Sequence, residues 1–157
     1  MDEKGLTLIE LLITISIIAI LAASIVPVSR LSVKRGNEVE LKRNLRVIRV
    51  ALDNYKKAWD EGKIKKSVGE SGYPATLQVL VEGVDDVSSV EGGRKLKFLR
   101  RIPRDPMNRD EFLGDSEVWG LRSYKSDADS PAEGDDVFDI YSKSEEVAIN
   151  GTQYNKW

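Results

Sequence analysis

The sequence predicts an α+β protein: a long amino-terminal helix, transmembrane in its first half, packed against a small antiparallel-sheet head. Three observations carry this. Residues 6–28 form an apolar run of 23 in which Glu10 is the only charge. At about 1.5 Å per residue such a helix crosses a hydrocarbon core of roughly 30 Å. Leu41, Leu45, Ile48, Leu52, Tyr55 and Trp59 then recur at spacings of 4, 3, 4, 3 and 4, one face of a helix. The last third holds β-branched and aromatic runs separated by a turn-rich loop, the pattern of a hairpin with a long connection.

Four segments follow: a leader over 1–5, a transmembrane and assembly helix over 6–28, its amphipathic continuation over 29–62, and a globular head over 63–157. Pro27 removes a backbone hydrogen bond and crowds the preceding turn, and Gly36 adds a second weak point. A kink or local melting is therefore expected between residues 24 and 36. Glu61-Gly62 is a stop, with Gly62 as left-handed cap; one helix to that point would measure on the order of 80 Å. In the head, residues 63–72 read as loop. Tyr73-Pro74 opens a short helix through about Val81, with proline in its first turn. Gly83 to Gly93 reads as loop and Leu96-Lys97-Phe98-Leu99 as a turn. Ile102-Pro103-Arg104-Asp105-Pro106 forbids regular helix. Strands are expected over residues 118–124 and 137–142, and Asn150-Gly151 is a tight turn returning Tyr154 and Trp157 to the head.

Composition excludes several classes. The chain of 157 residues has a net charge of -2, no cysteine and no histidine. Disulfide frameworks, Ser-His triads and the commonest metal ligand are thereby removed. No Gly-rich phosphate loop is present, and the carboxylates lie in runs rather than in isolated apolar settings, so an enzyme is not expected. Charge is unevenly placed: residues 30–66 carry 12 Lys/Arg against 5 Asp/Glu, and residues 105–157 carry 5 against 13. A basic stem and an acidic head suit contacts between copies. The stem lacks interleaved exposed aromatics, so nucleic acid is not the expected partner. Met1-Asp2-Glu3-Lys4 is not the basic start of a secretory signal peptide. A plain anchor leaves Glu10 unexplained, since a carboxylate at the bilayer centre costs roughly 2.5–3.5 kcal/mol on insertion scales.

Gly5 followed by Leu6-Thr7-Leu8-Ile9-Glu10-Leu11-Leu12 resembles the cleavage and assembly signal of type IV pilin-like proteins, which include type IV pilins and type II secretion pseudopilins. The resemblance implies that a prepilin peptidase cuts after Gly5 and methylates the new amino group on Leu6, where the family usually has Phe. It implies that Glu10 pairs with the amino terminus of a neighbouring subunit, two opposite charges neutralising each other in a low-dielectric bundle. It also implies that the filament helix unwinds around Pro27.

Further landmarks resemble the major, G-type pseudopilin: Tyr73-Pro74 before a short helix, Phe98-Leu99 before Ile102-Pro103-Arg104-Asp105-Pro106, Phe138-Asp139-Ile140-Tyr141-Ser142, and terminal Trp157. The resemblance implies a structural subunit of a type II secretion pseudopilus, a filament that drives protein export across the outer membrane. Implied partners are copies of itself, the prepilin peptidase, the inner-membrane assembly platform and ATPase, minor pseudopilins and the outer-membrane secretin. The implied location is the inner membrane, single-pass, with the head in the periplasm. Arg30, Lys34 and Arg35 after the span oppose this orientation under the positive-inside rule, but the peptidase site is the more specific signal. Alternatives are a type IV pilus subunit, which the missing cysteine pair argues against, and a membrane-tethered binding module, which would not need Glu10.

No cofactor is expected apart from calcium, for which two loops come into question. Asp127, Asp129, Asp135 and Asp136 supply oxygens, but without EF-hand spacing. The resemblance places the family's calcium after the Asp-Ile-Tyr-Ser strand. Here that loop is the short Lys143-Ser144-Glu145-Glu146-Val147-Ala148-Ile149, without a Gly-Ala-Asp-Gly-like core, and a solvated acidic loop is the competing reading.

Overall fold

The computed structural model describes Gly5 and residues 7–89 and 93–157; over residues 24–28 it describes the helical backbone alone. The leader residues 1–4, the expected methylation site Leu6 and the Pro27 side chain lie outside the described residues. The elements run α1 (Leu8–Asp60), α2 (Gln78–Glu82), β1 (Val84–Asp85), β2 (Lys95–Leu96), β3 (Trp119–Arg122), β4 (Asp139–Ser142) and a closing 3-10 turn (Tyr154–Lys156). This is the expected α+β class with a long amino-terminal helix. The chain divides into two compact units, Met1–Gly36 and Asn37–Trp157, and α1 contributes to both.

Within the first unit, α1 is helical from Leu8 onward, and its backbone continues through positions 27 and 36 without a melted stretch. The unwinding implied for Pro27 concerns an assembled filament; in the single chain the helix persists. Among the described residues no helix is long and apolar enough to cross a membrane. The described apolar side chains cover residues 8–23, which is 16 residues, or about 24 Å at the helical rise, short of the roughly 30 Å required. The expected span owes its remaining length to Leu6 and residues 24–28.

In the second unit the expected seam is the core. Leu41, Leu45, Ile48, Ala51, Leu52, Tyr55 and Ala58 are all buried, and Trp59 is partly so. They join Leu77, Leu80, Ile102, Val118, Trp119, Val137, Ile140 and Tyr154 in one cluster. The helix ends as its sequence foretold: Gly62 takes φ +73, its N–H donates to Trp59 O at 3.0 Å, and Lys63 N–H donates to Ala58 O at 3.0 Å. That pair of bonds is a Schellman closure, which a residue with a Cβ would adopt only under strain.

The sheet is two separate antiparallel pairs. β3 and β4 pair as expected, Trp119 opposite Ser142 and Arg122 opposite Asp139. Gly120 lies opposite Tyr141, whose ring occupies the place a Cβ at 120 would take. β1 and β2 pair Val84 with Leu96 and Asp85 with Lys95, inside segments expected to be loop and turn; two-residue strands are too short to show a period of two. The short helix begins at Gln78, later than expected. Pro74 is buried outside it, and its carbonyl accepts Val137 N–H at 2.8 Å. That tertiary bond takes the carbonyl a helix would have used. Similar long-range bonds tie down the other loops: Phe98 and Leu99 N–H both donate to Leu80 O at 2.9 Å, and Asn44 Nδ2 donates to Arg104 O at 2.9 Å.

Truncating the seam should expose its weight. Ile48→Ala in the detergent-solubilised protein should lower stability by about 2–5 kcal/mol in urea titration. Exposed Val50→Ala should stay within about 0.5 kcal/mol; equal losses at both positions would mean the head does not rest on this face.

Candidate functional site

The amino-terminal turn is built by local chemistry. Thr7 precedes α1 and Glu10 is its third residue, the spacing of a capping box. Glu10 N–H donates to Thr7 Oγ1 at 3.3 Å, and Leu11 N–H donates to Thr7 O at 3.1 Å. The Glu10 carboxylate therefore stands in the first turn, where the exposed N–H groups of the helix favour negative charge. It is exposed and finds no side-chain partner among the described residues. Gly5 is exposed too, with nothing within 4 Å of where a Cβ would stand.

Beyond it the helix is apolar around its whole circumference. Leu8, Ile9, Leu12, Ile13, Ile15, Ile17, Ile18 and Leu21 are all more than half exposed. The two hydroxyls following Glu10 turn inward: Thr14 Oγ1 donates to Leu11 O at 2.9 Å and Ser16 Oγ donates to Leu12 O at 2.7 Å. Hydroxyls satisfied within their own helix suit an apolar surrounding. Such a surface calls for burial against lipid or other helices, and the charge it presents is Glu10.

A second set of helix side chains, missed in the sequence, holds the end of the chain. Buried Glu38 accepts from Ile149 N–H and from the Tyr154 hydroxyl, each at 2.8 Å to Oε1. Arg49 donates to Asp139 Oδ1 at 2.7 Å, to Ile140 O at 3.0 Å and to Trp157 O at 2.7 Å. Lys42 Nζ lies 4.4 Å over the Trp157 ring, and Trp157 Nε1 donates to Thr152 Oγ1 at 2.7 Å. Glu38 stands three residues before Leu41, so it occupies the core seam; a carboxylate at a seam position was the available signal. The Asn150-Gly151 turn forms as expected, Gly151 at φ +85, with Val147 bridging Gln153.

These contacts bear on calcium. In the loop after β4, Ser142 Oγ accepts Ser144 N–H, Ser144 Oγ accepts Glu146 N–H, and Ile149 N–H goes to Glu38. In the acidic loop, Asp136 Oδ1 accepts Tyr124 N–H at 2.8 Å and Asp127 Oδ1 accepts Asp129 N–H at 3.2 Å; Asp135 is exposed. Among the described residues no group of three or more acidic side chains is placed to hold a metal. Calcium takes six to eight oxygens, and in neither loop do acidic side chains alone gather to supply them.

Two groups are titration probes. Burial, then the bond and charge of Glu38, pushes the Tyr154 hydroxyl from 10.0 up to about 12. Burial likewise raises the Asp105 carboxyl above 3.8, against bonds from Ser142 and Met107. Its Oδ2 has no partner among the described residues.

The prokaryotic N-terminal methylation motif matches residues 1–26. That stretch is the capped apolar helix bearing one first-turn carboxylate, so the start of this chain is similar to that of prepilin-type proteins. Three curated relatives are each named type II secretion system core protein G. The Pseudomonas aeruginosa protein is 27% identical over 139 residues, covering 86% of this chain and 90% of its own. The Klebsiella pneumoniae protein is 28% identical over 114 residues (71% and 74%), and the Escherichia coli K12 protein is 26% identical over 139 (85% and 88%). No solved structure matches. Motif and relatives together support a type II pseudopilin.

Both titrations raise the folded-state value, so each contribution is complete below the ordinary value and is lost as pH rises through the folded one. Stability should fall from about pH 10 toward 12 through Tyr154. Tyr154→Phe should abolish that fall and cost roughly 1.5–3 kcal/mol at neutral pH. Asp105→Asn, which keeps an acceptor for Met107 N–H, should be neutral or stabilising at pH 7 and flatten the acid side of the profile. Thermal melts across pH check both, and a wild-type profile retained in both variants would refute the assignments.

Proposed function

We propose that this chain is processed after Gly5, inserts residues 6–28 into the inner membrane, and assembles through that helix into a filament with its head in the periplasm. The protein is a structural subunit of a type II secretion pseudopilus. The observation that carries the mechanism is the capped apolar helix with Glu10 in its first turn. New copies would bury that surface against one another, and the amino group created on Leu6 would neutralise the neighbouring Glu10 carboxylate. The filament works mechanically, so the head needs a firm outer form and no catalytic groups.

That role implies as partners copies of the chain, the prepilin peptidase, the inner-membrane assembly platform and ATPase, minor pseudopilins and the outer-membrane secretin. We take the leader as cytoplasmic and the head as periplasmic; an alkaline phosphatase fused after Trp157 should be active, and activity of a cytoplasmic reporter alone at that position would reverse the orientation.

Glu10→Ala tests the mechanism directly. The variant should remain in the membrane fraction with a folded head, yet yield no sheared filament and export no substrate. Assembly and export that both survive would leave a membrane-tethered binding module as the better account.

A further inference from the structure

Helix α1 carries a second row that its own head leaves uncovered. Val39, Arg43, Arg46 and Val50 recur at spacings of 4, 3 and 4, two residues out of step with Leu41, Leu45, Ile48 and Leu52. Two residues turn a helix by about 200°, so this row lies opposite the core seam. Val39 is 64% exposed and Val50 50% exposed, and both arginines are exposed. Neither guanidinium has a hydrogen-bond or ion-pair partner among the described residues. Glu40 borders the row, and Asp53 lies beyond its end.

A complementary feature stands on the head. The loop after Asp105 is gathered around one guanidinium. Arg104 Nη1 donates to Leu113 O at 3.0 Å and to Asp115 Oδ1 at 3.4 Å, and its Nη2 donates to Asp110 O. Asn108 Oδ1 accepts Asp110 N–H at 2.9 Å, and Asp110 Oδ1 accepts Phe112 N–H at 3.0 Å. The tip presents Phe112 at 100% exposure, with Asp110 and Glu111 immediately before it and Arg109 one position further back. A loop tied down in this way offers its aromatic residue with little further ordering to lose on binding.

We propose that the row of Val39, Arg43, Arg46 and Val50 on one copy receives the Phe112 loop of a second copy. Phe112 lies on Val50, and Glu111 and Asp110, which precede it, face Arg46 and Arg43, one turn and two turns back along the helix. Apolar matches apolar and acid matches base on both surfaces, which fixes register as well as attraction. The row faces away from the head that the opposite seam carries, so the loop it receives comes from another subunit. The inference rests on the pseudopilus reading: two unlike patches joined head to tail propagate into an open filament rather than a closed dimer.

The chain has no cysteine, so introduced thiols report cleanly. Full-length Val50→Cys and Phe112→Cys copies, co-expressed in a strain that assembles the filament and mildly oxidised, should give a disulfide-linked dimer at least tenfold above either variant alone. Arg46→Glu and Glu111→Lys should each lower the sheared filament yield at least fivefold, and the two changes in one chain should restore it. Unchanged melting temperatures confirm that the heads remain folded. Wild-type filaments accompanied by background cross-linking, or by reversals without effect or without rescue, would overturn this contact and leave the pseudopilus reading intact. A wild-type chain that forms no filament would overturn both.

Discussion

The head depends on one face of one helix. Its regular sheet is two pairs of strands, of two and four residues each. Isolated ribbons of that size are marginal in water. The chain has no disulfide to restrict its unfolded state. What remains is burial: the row from Leu41 to Ala58 gives the loops a common wall, and Leu80, Trp119, Ile140 and Tyr154 reach it from four different segments. The backbone bonds among those segments, such as Val137 N–H to Pro74 O, then satisfy groups that strands would otherwise have paired. From Asn37 onward helix and head therefore form one compact unit around a shared core.

Charged side chains at the margins of that wall close the structure. Glu38 and Tyr154 are 116 residues apart in sequence, and Arg49 reaches Trp157 across 108. The end of the chain rests on side chains of α1. The interaction also explains why a carboxylate is tolerated on a buried seam: Glu38 receives two donors in the space where a leucine would have had only apolar neighbours.

The periodic features are legible in the sequence alone. The seam of α1, its Gly62 stop, the β3–β4 pair and the Asn150-Gly151 turn all rest on spacing or on a conformation that glycine favours. What escaped was set by partners distant in sequence. β1 and β2 are two residues long, and nothing in Val84-Asp85 distinguishes strand from loop until Lys95-Leu96 lies beside it. Pro74 has a helix-starting sequence but spends its carbonyl on Val137. At the site, Gly5, Glu10 and the apolar run could be read directly, since their chemistry is local. Glu38 and Arg49 could not, because their roles exist only where the carboxy terminus comes to rest.

Glu10 combines a local role in the helix with the assembly role proposed for it. In the single chain its N–H completes the Thr7 cap and its charge sits favourably in the first turn. Those interactions help begin the helix, yet they leave the carboxylate exposed on an otherwise apolar cylinder. Thr14 and Ser16 donate within the helix, so they ask nothing of their surroundings. The carboxylate does, and the aliphatic side chains around it become stable only where water is absent. Both demands are met by the same environment, a bundle of like helices with a cation near the start of each. In the filament proposed above, that coincidence, rather than the charge alone, would make the amino-terminal turn an assembly device and not merely the start of a membrane anchor.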